Sequence, residues 1–419
     1  MSSILPISAV SQGFGMIIPL YILYLHGTVF NIAIATTLYN LVGIPASLFW
    51  GDMTDRFKRT KLFIVLSVLG VFPIIMIIYF LAFVPVLEYA YGIFAFIATA
   101  ASPALNILVM SGKTNPKLPK YFSRYSIISL AGSLVGLVPG LFIDNGYIGL
   151  YLIFLLLLNV SALILGLIFL EERIPKTVAK DKIETSIKSF PVLNMLSTMP
   201  QILTGQRLVE TLHKNFMNPV RRKVYTLLIV IAVFEIGMSL FNTSYIPYLI
   251  HYGVSYYNVF FIQIANTIGQ ISVYFIFIFF LSEKRMHTYY RFSTLLRGTA
   301  YTIAFVPIFF FLNGFLYVNV LAYLIGGLAY ALWNIASSVL IFGHIKRLKK
   351  GHYIGLWTAI IGVSAVLGSF MSGIISSYSS YLYTFGLGIV FTALSYVLFN
   401  KIYESGERKK YKTASSQTD

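Results

Sequence analysis

The run Gly51-Asp-Met-Thr-Asp55-Arg56-Phe-Lys58-Arg59-Thr-Lys61 separates two stretches, 29–50 and 61–83, that are uncharged apart from the boundary Lys61. Each stretch is close to the roughly 20 apolar residues needed to cross the hydrocarbon of a bilayer. Reading outward in both directions, the same alternation continues to the ends of the chain. It predicts spans near 4–25, 29–50, 61–83, 87–110, 122–143 and 148–170, then near 224–250, 256–281, 292–312, 315–342, 353–376 and 380–402. Every second connection is basic: after the run just quoted come Lys113, Lys117, Lys120 and Arg124, then Lys284 and Arg285, then Lys346, Arg347, Lys349 and Lys350. The others, such as His26–Phe30, Val84–Glu88 and His251–Tyr257, hold no Lys or Arg. Basic residues stay with cytoplasmic loops, so the base-free connections face outward and both termini face inward.

Composition agrees with a bilayer protein. Of 419 residues 58% are hydrophobic and 11% charged, too few charges to cover a water-soluble surface of this size. The formal net charge of +17 sits in short loops between apolar runs. Anionic lipid headgroups are therefore the expected partner of these charges, and nucleic acid is not. With no cysteine, disulfides, thiolate metal sites and cysteine nucleophiles are excluded. The first apolar run lacks a basic leader and is expected to be a retained helix.

Residues 171–223 hold ten basic and five acidic side chains. The chain thus divides into an amino-terminal six-helix bundle (1–170), a cytoplasmic linker (171–223), a carboxy-terminal six-helix bundle (224–402) and a cytoplasmic tail (403–419). Scattered Leu, Met and Val over Val192–Phe216 predict amphipathic helix on the inner membrane surface. Six spans plus six imply structural repeats with a substrate site between them.

Polar side chains inside spans are costly and mark cavities or helix contacts. Amides fall at Gln12, Asn40, Asn106, Asn159, Asn242, Gln263, Asn266, Gln270 and Asn334, with Asn31 nearer an end. Glu235, Ser239 and Asn242 share a helix face, as do Gln263, Thr267 and Gln270, and Tyr330, Asn334 and Ser338. Interhelical hydrogen bonds, worth about 0.6 kcal/mol each, explain any one of them. A shared aqueous cavity lined by Gln12, Asn106, Asn242, Gln263, Gln270, Tyr330, Trp333 and Asn334 explains the set. Glu235 is the acidic residue nearest the middle of a span. An ionised carboxylate there costs about 2.5–3.5 kcal/mol, so it is expected to exchange a proton during a cycle. A structural Glu bonded to neighbouring amides is the alternative. Arg297 is placed near the inner end of the ninth span, within reach of the interface.

The opening run resembles the Gly-x-x-x-Asp-Arg-x-Gly-Arg-Arg/Lys signature between the second and third helices of the major facilitator superfamily. Gly51, Asp55, Arg56 and Arg59 match; Lys58 replaces the family's Gly, and Thr60 a basic residue. The resemblance implies an all-α fold of twelve transmembrane helices in two bundles, working by alternating access. It further implies that Asp55 meets the amino terminus of helix eleven near Gly355, with Arg56 and Arg59 closing an inner gate. Helices 3, 6, 9 and 12 would be outer supports. Helix four, Glu88–Met110, lacks the Arg that many proton-coupled members carry. In helix five Gly132, Gly136 and Gly140 recur every four residues but Pro139 is out of register with the exporter pattern. Small-xxx-small packing explains those glycines.

The expected function is secondary active transport of a small molecule, coupled to protons through Glu235, without a cofactor, by a monomer in the plasma membrane. A cavity with one acid, several aromatics and no central base suits efflux of a cationic or neutral amphiphile. Uptake of a neutral polar solute such as a sugar, bonded by the amides, is the alternative. A polytopic enzyme acting on lipid-linked substrate is more remote, because the six His are scattered and no acidic pair has metal-ligand spacing inside a span.

Overall fold

The computed structural model describes residues 3–57, 59–110, 118–143, 147–170, 219–279, 285–307, 314–343 and 350–415. The first six spans are built from α1 (Ile4–Tyr24), α2 (Val29–Phe57), α3 (Thr60–Phe80), α4 (Val84–Ala98) with α5 (Ala101–Met110), α6 (Leu118–Leu137) and α7 (Ile148–Phe169). The second six are α8 (Pro219–His251), α9 (Tyr256–Phe279), α10 (Met286–Phe305), α11 (Phe315–Gly343), α12 (Lys350–Tyr378) and α13 (Tyr381–Ser415). Eleven of these crossings are long and apolar enough to span a membrane. The twelfth is α10, made more polar by Arg291 and Arg297. The amphipathic segment expected within 192–216 lies outside the described residues.

Three differences from the sequence reading have physical causes. The run at 51–57 is not a loop: α2 continues through it to Phe57, because nothing in Gly51–Phe57 breaks a helix already propagated through the apolar span. The fourth span is two helices. Thr99 and Ala100 interrupt it ahead of Pro103, which has no N–H to continue the ladder. Carbonyls at the break find side-chain donors instead: Trp50 Nε1 bonds Phe96 O at 2.7 Å and Ser67 Oγ bonds Ala98 O at 3.3 Å. Finally, α10 starts at Met286, ahead of the expected 292, which moves Arg297 into the middle of the crossing.

Two helix pairs join the first six spans to the second: α2 packs along α12, and α6 along α9. Within the first six, α6 approaches α1 closely. A Cβ on Gly132 would strike the Leu5 carbonyl, and one on Gly136 the Ala9 carbonyl, so the four-residue glycine spacing is a packing device. Gly140 instead faces the Phe260 ring of α9. The lipid-facing helices expose aliphatic and aromatic side chains, including Leu69 and Phe72 on α3, Leu157 and Ile164 on α7, Phe292 and Leu295 on α10, and Val390 and Val397 on α13. These are the third, sixth, ninth and twelfth spans.

Apolar packing differs between the two ends of the molecule. Towards the base-free side one cluster runs through both sets of spans, joining Ile17, Leu20 and Phe94 to Phe241, Tyr248, Phe260 and Phe385. Towards the basic side most of the packing separates. Ile4, Met53, Ile64 and Leu105 form one cluster, and Tyr225, Phe234, Trp333 and Ile341 another. A smaller cluster of Val273, Tyr274 and Ala331 with Ile127 and Leu130 also joins α6 to α9 and α11, so the halves share a large cluster at the outer end and a small one at the inner end. Outer turns are tight, with His26 and Gly253 at φ of 60° and 79°.

Candidate functional site

A cavity of about 330 Å³ lies between the two sets of spans. From α1 it takes Gln12, Gly15 and Met16; from α8 Met238, Asn242, Tyr245, Ile246 and Leu249; from α9 Gln263, Asn266 and Gln270; from α10 Arg297; and from α11 Tyr323 and Tyr330. The volume is at the small end of the range that holds a metabolite-sized ligand.

Of the residues expected from sequence to line it, Gln12, Asn242, Gln263, Gln270 and Tyr330 do so. Two are placed elsewhere, and Glu235, expected as the coupling group, also lies outside the lining. Trp333 is buried in the inner apolar cluster and stacks on Phe234 at 4.8 Å between ring centres. Asn334 donates to the Tyr274 hydroxyl at 3.2 Å, bracing α11 against α9. Glu235 is 5% exposed and sits on α8 one turn before Met238, behind the cavity wall, with Oε2 accepting no hydrogen bond. The side chain of Asn106 lies outside the described residues, as do those of Asp55 and Arg56 in the gate run. Gly51 is half-buried on α2 and Arg59 is exposed just before α3. The packing of α12 along α2 places the expected helices of that gate side by side.

Sequence reasoning misplaced Arg297. It is 5% exposed and lines the cavity, so it does not snorkel to the interface. Its Nε donates to the Tyr301 hydroxyl at 2.9 Å, one terminal nitrogen to the Gly326 carbonyl at 2.7 Å, and the other to Asn242 Oδ1 at 3.2 Å. Gly326 permits this approach, since a Cβ there would stand 3.2 Å from the guanidinium. The signal was present in the chain: Tyr290, Thr294, Arg297, Tyr301 and Ala304 form a buried stripe at helical spacing, opposite the exposed Phe292 and Leu295. Starting the helix at 292 hid its first turn. The cavity therefore contains a central base, contrary to the premise that favoured a cationic substrate.

Aromatic rings stiffen the wall around this guanidinium. Tyr245 stacks on Tyr323 at 4.1 Å, and Phe241 on Tyr301 at 4.0 Å. Tyr245 also donates to Asn319 Oδ1 at 2.7 Å. Asn319, buried in α11, was missed among the intramembrane amides. Asn266 and Gln270 are linked at 2.7 Å, with Asn266 donating to the Tyr323 carbonyl at 3.0 Å. Gln12 and Gln263 keep their amide groups for the cavity: they line it and no side-chain bond to either is formed among the described residues. Asn159, by contrast, bonds the Val68 carbonyl at 2.9 Å and serves only to tie α7 to α3.

A polar cavity between two sets of membrane-crossing helices is the arrangement expected of a membrane transporter. A family model of the Major Facilitator Superfamily matches residues 1–352. The chain belongs to that superfamily. No curated protein matches it in sequence. Among solved structures it is similar to the human organic anion transporter MFSD10 (TETRAN), at 12% identity and a TM-score of 0.63, over 95% of this chain and 99% of that one. It is also similar to the nucleoside transporter NupG, at 12% identity and TM-score 0.70, over 96% and 98% of the two chains. A POT family transporter in complex with 5-aminolevulinic acid aligns at 12% identity and TM-score 0.70, over 96% of both chains. At this identity the likeness extends to the fold.

Proposed function

We propose that this protein is a proton-coupled secondary transporter that carries a small polar organic solute through the central cavity by alternating access. The observation that carries the reading is the cavity itself: amide and hydroxyl groups converge from both halves on one metabolite-sized space. Free amides at Gln12 and Gln263, with Gln270 and the Tyr323 and Tyr330 rings, suit a solute rich in hydrogen-bonding groups. They suit a lipophilic cation poorly beside Arg297, because like charge in a low-dielectric site repels strongly. The polar-solute alternative of the sequence reading is therefore preferred to the amphiphile.

Glu235 is the coupling group in this reading. Its carboxyl is buried, shares the α8 face with Asn242 two turns away, and interacts electrostatically with Arg297 without forming an ion pair. Protonation of Glu235 removes the negative charge that offsets Arg297; deprotonation restores it. The charge felt by the solute is thereby tied to proton occupancy. The large common cluster at the outer end, against the mostly separate packing at the inner end, supports an arrangement closed on the outer side. Residues 1–170 and 224–402 would rock about the α2–α12 and α6–α9 seams, in a plasma membrane, as a monomer with both termini cytoplasmic and the basic loops against anionic headgroups.

The test is uptake into proteoliposomes under an imposed pH gradient, using a radiolabelled nucleoside, dipeptide and organic anion chosen after the structural relatives. Gradient-driven accumulation of one of them, lost in Glu235→Gln while exchange without a gradient persists, is the expected result. Accumulation unaffected by Glu235→Gln would remove that carboxyl from the coupling.

A further inference from the structure

We infer that Arg297 is the recognition group for an anionic moiety, a carboxylate or a group of like geometry, on the transported solute. The inference rests on the transporter reading and narrows its substrate class.

A guanidinium carries five N–H donors and is always charged. In this site three donors are engaged, all by neutral acceptors: the Tyr301 hydroxyl, the Gly326 carbonyl and Asn242 Oδ1. One N–H on each terminal nitrogen remains. With one free N–H on each terminal nitrogen the fork can still give a carboxylate two bonds. The side chain reaches the cavity while remaining almost wholly buried, and among the described residues no acid lines that cavity. Glu235 acts on it electrostatically from behind the wall but makes no ion pair with it.

A buried charge without a direct counter-charge is costly, and it persists in a fold only where something compensates it. A purely structural arginine would be expected to spend itself on an acid or on helix-end carbonyls away from solvent. Arg297 is instead braced for a fixed orientation. Tyr301 lies 4.9 Å beneath the guanidinium as a cation–π partner and bonds its Nε, while Asn242 and Gly326 hold its two ends from α8 and α11. Three helices thus fix the plane of the fork, and the open edge belongs to the solute. In the same cavity Gln12 and Gln263 are left to bond its neutral polar end.

The test is thermal unfolding of the purified full chain in detergent with matched probe pairs at equal concentration: benzoate with benzamide, nicotinate with nicotinamide, and 5-aminolevulinate with its methyl ester. The inference predicts that at least one carboxylate raises the melting temperature by several degrees while its uncharged partner leaves it unmoved. That shift should vanish in Arg297→Gln and persist, reduced, in Arg297→Lys, which keeps the charge but not the fork. The wild-type comparison decides even where a variant fails to fold. Stabilisation by the neutral partner alone, or equal stabilisation by both, would overturn anion recognition while leaving a polar-solute transporter intact. If no carboxylate stabilises the wild type, the inference falls. If in addition no probe moves across proteoliposomes, the transporter reading falls with it.

Discussion

The two halves of the molecule meet the cavity with unequal chemistry. The first six spans contribute Gln12 with the compact Gly15 and the flexible Met16, a nearly smooth wall. The second six contribute the guanidinium, three tyrosines and most of the amides, cross-braced by hydrogen bonds among α8, α9, α10 and α11. Rigid, pre-bonded groups hold a ligand without reorganising. A smooth wall slides past it. In the proposed cycle the second half would hold the solute and the first would close on it.

The comparison can be broken most decisively at Glu235. Glu235→Gln keeps the shape and removes the titration, so proton-driven accumulation should fall about 100-fold, ~2.8 kcal/mol, with exchange retained. Transport at equal inner and outer pH, measured beside gradient-driven transport, checks this.

Asn242→Ala comes next. It removes a brace of Arg297 and leaves a buried charged donor without its acceptor, costing about 2 kcal/mol or roughly 30-fold in affinity. Competition binding against the transported probe would read it. On the opposite wall, Gln12→Ala should weaken the same binding only about fivefold, ~1 kcal/mol. A larger loss at Gln12 than at Asn242 would reverse the assignment of the two halves. The smallest effect belongs to Asn159→Ala, which cuts the tie from α7 to Val68: about 0.6 kcal/mol of stability, seen in the melting temperature, with transport unchanged.

Much of the fold could be read from charge placement alone, because bilayer insertion separates apolar spans from basic loops so sharply that few alternatives survive. Span boundaries were read well where apolar runs end abruptly, as at Tyr24 and Phe169. They were misread at α10, where Arg291 and Arg297 lower the hydropathy of a helix that is nonetheless within the bundle. That single shift of register concealed the cavity's base. The amides were legible as a set and ambiguous one by one. Gln263 faces the cavity whereas Asn159 and Asn334 brace helices, and only the packing of neighbouring backbones tells those roles apart. Trp333, an aromatic expected in the cavity with Tyr330, follows it by three positions and precedes Asn334 by one. Successive helical positions point about 100° apart, and it turns into the inner apolar cluster.

In the proposed cycle the cavity is reached alternately from the two sides, and the absence of cysteine permits a direct measurement. Single cysteines at Asn242, Gln12 and Asn159 would be labelled with a membrane-impermeant maleimide in right-side-out and inverted vesicles. Labelling of Asn242→Cys and Gln12→Cys from the inner side, with outer labelling appearing only under an imposed pH gradient and Asn159→Cys unreactive throughout, is the predicted result. Labelling from both sides at once, or equal labelling at Asn159→Cys, would contradict alternating access around this cavity.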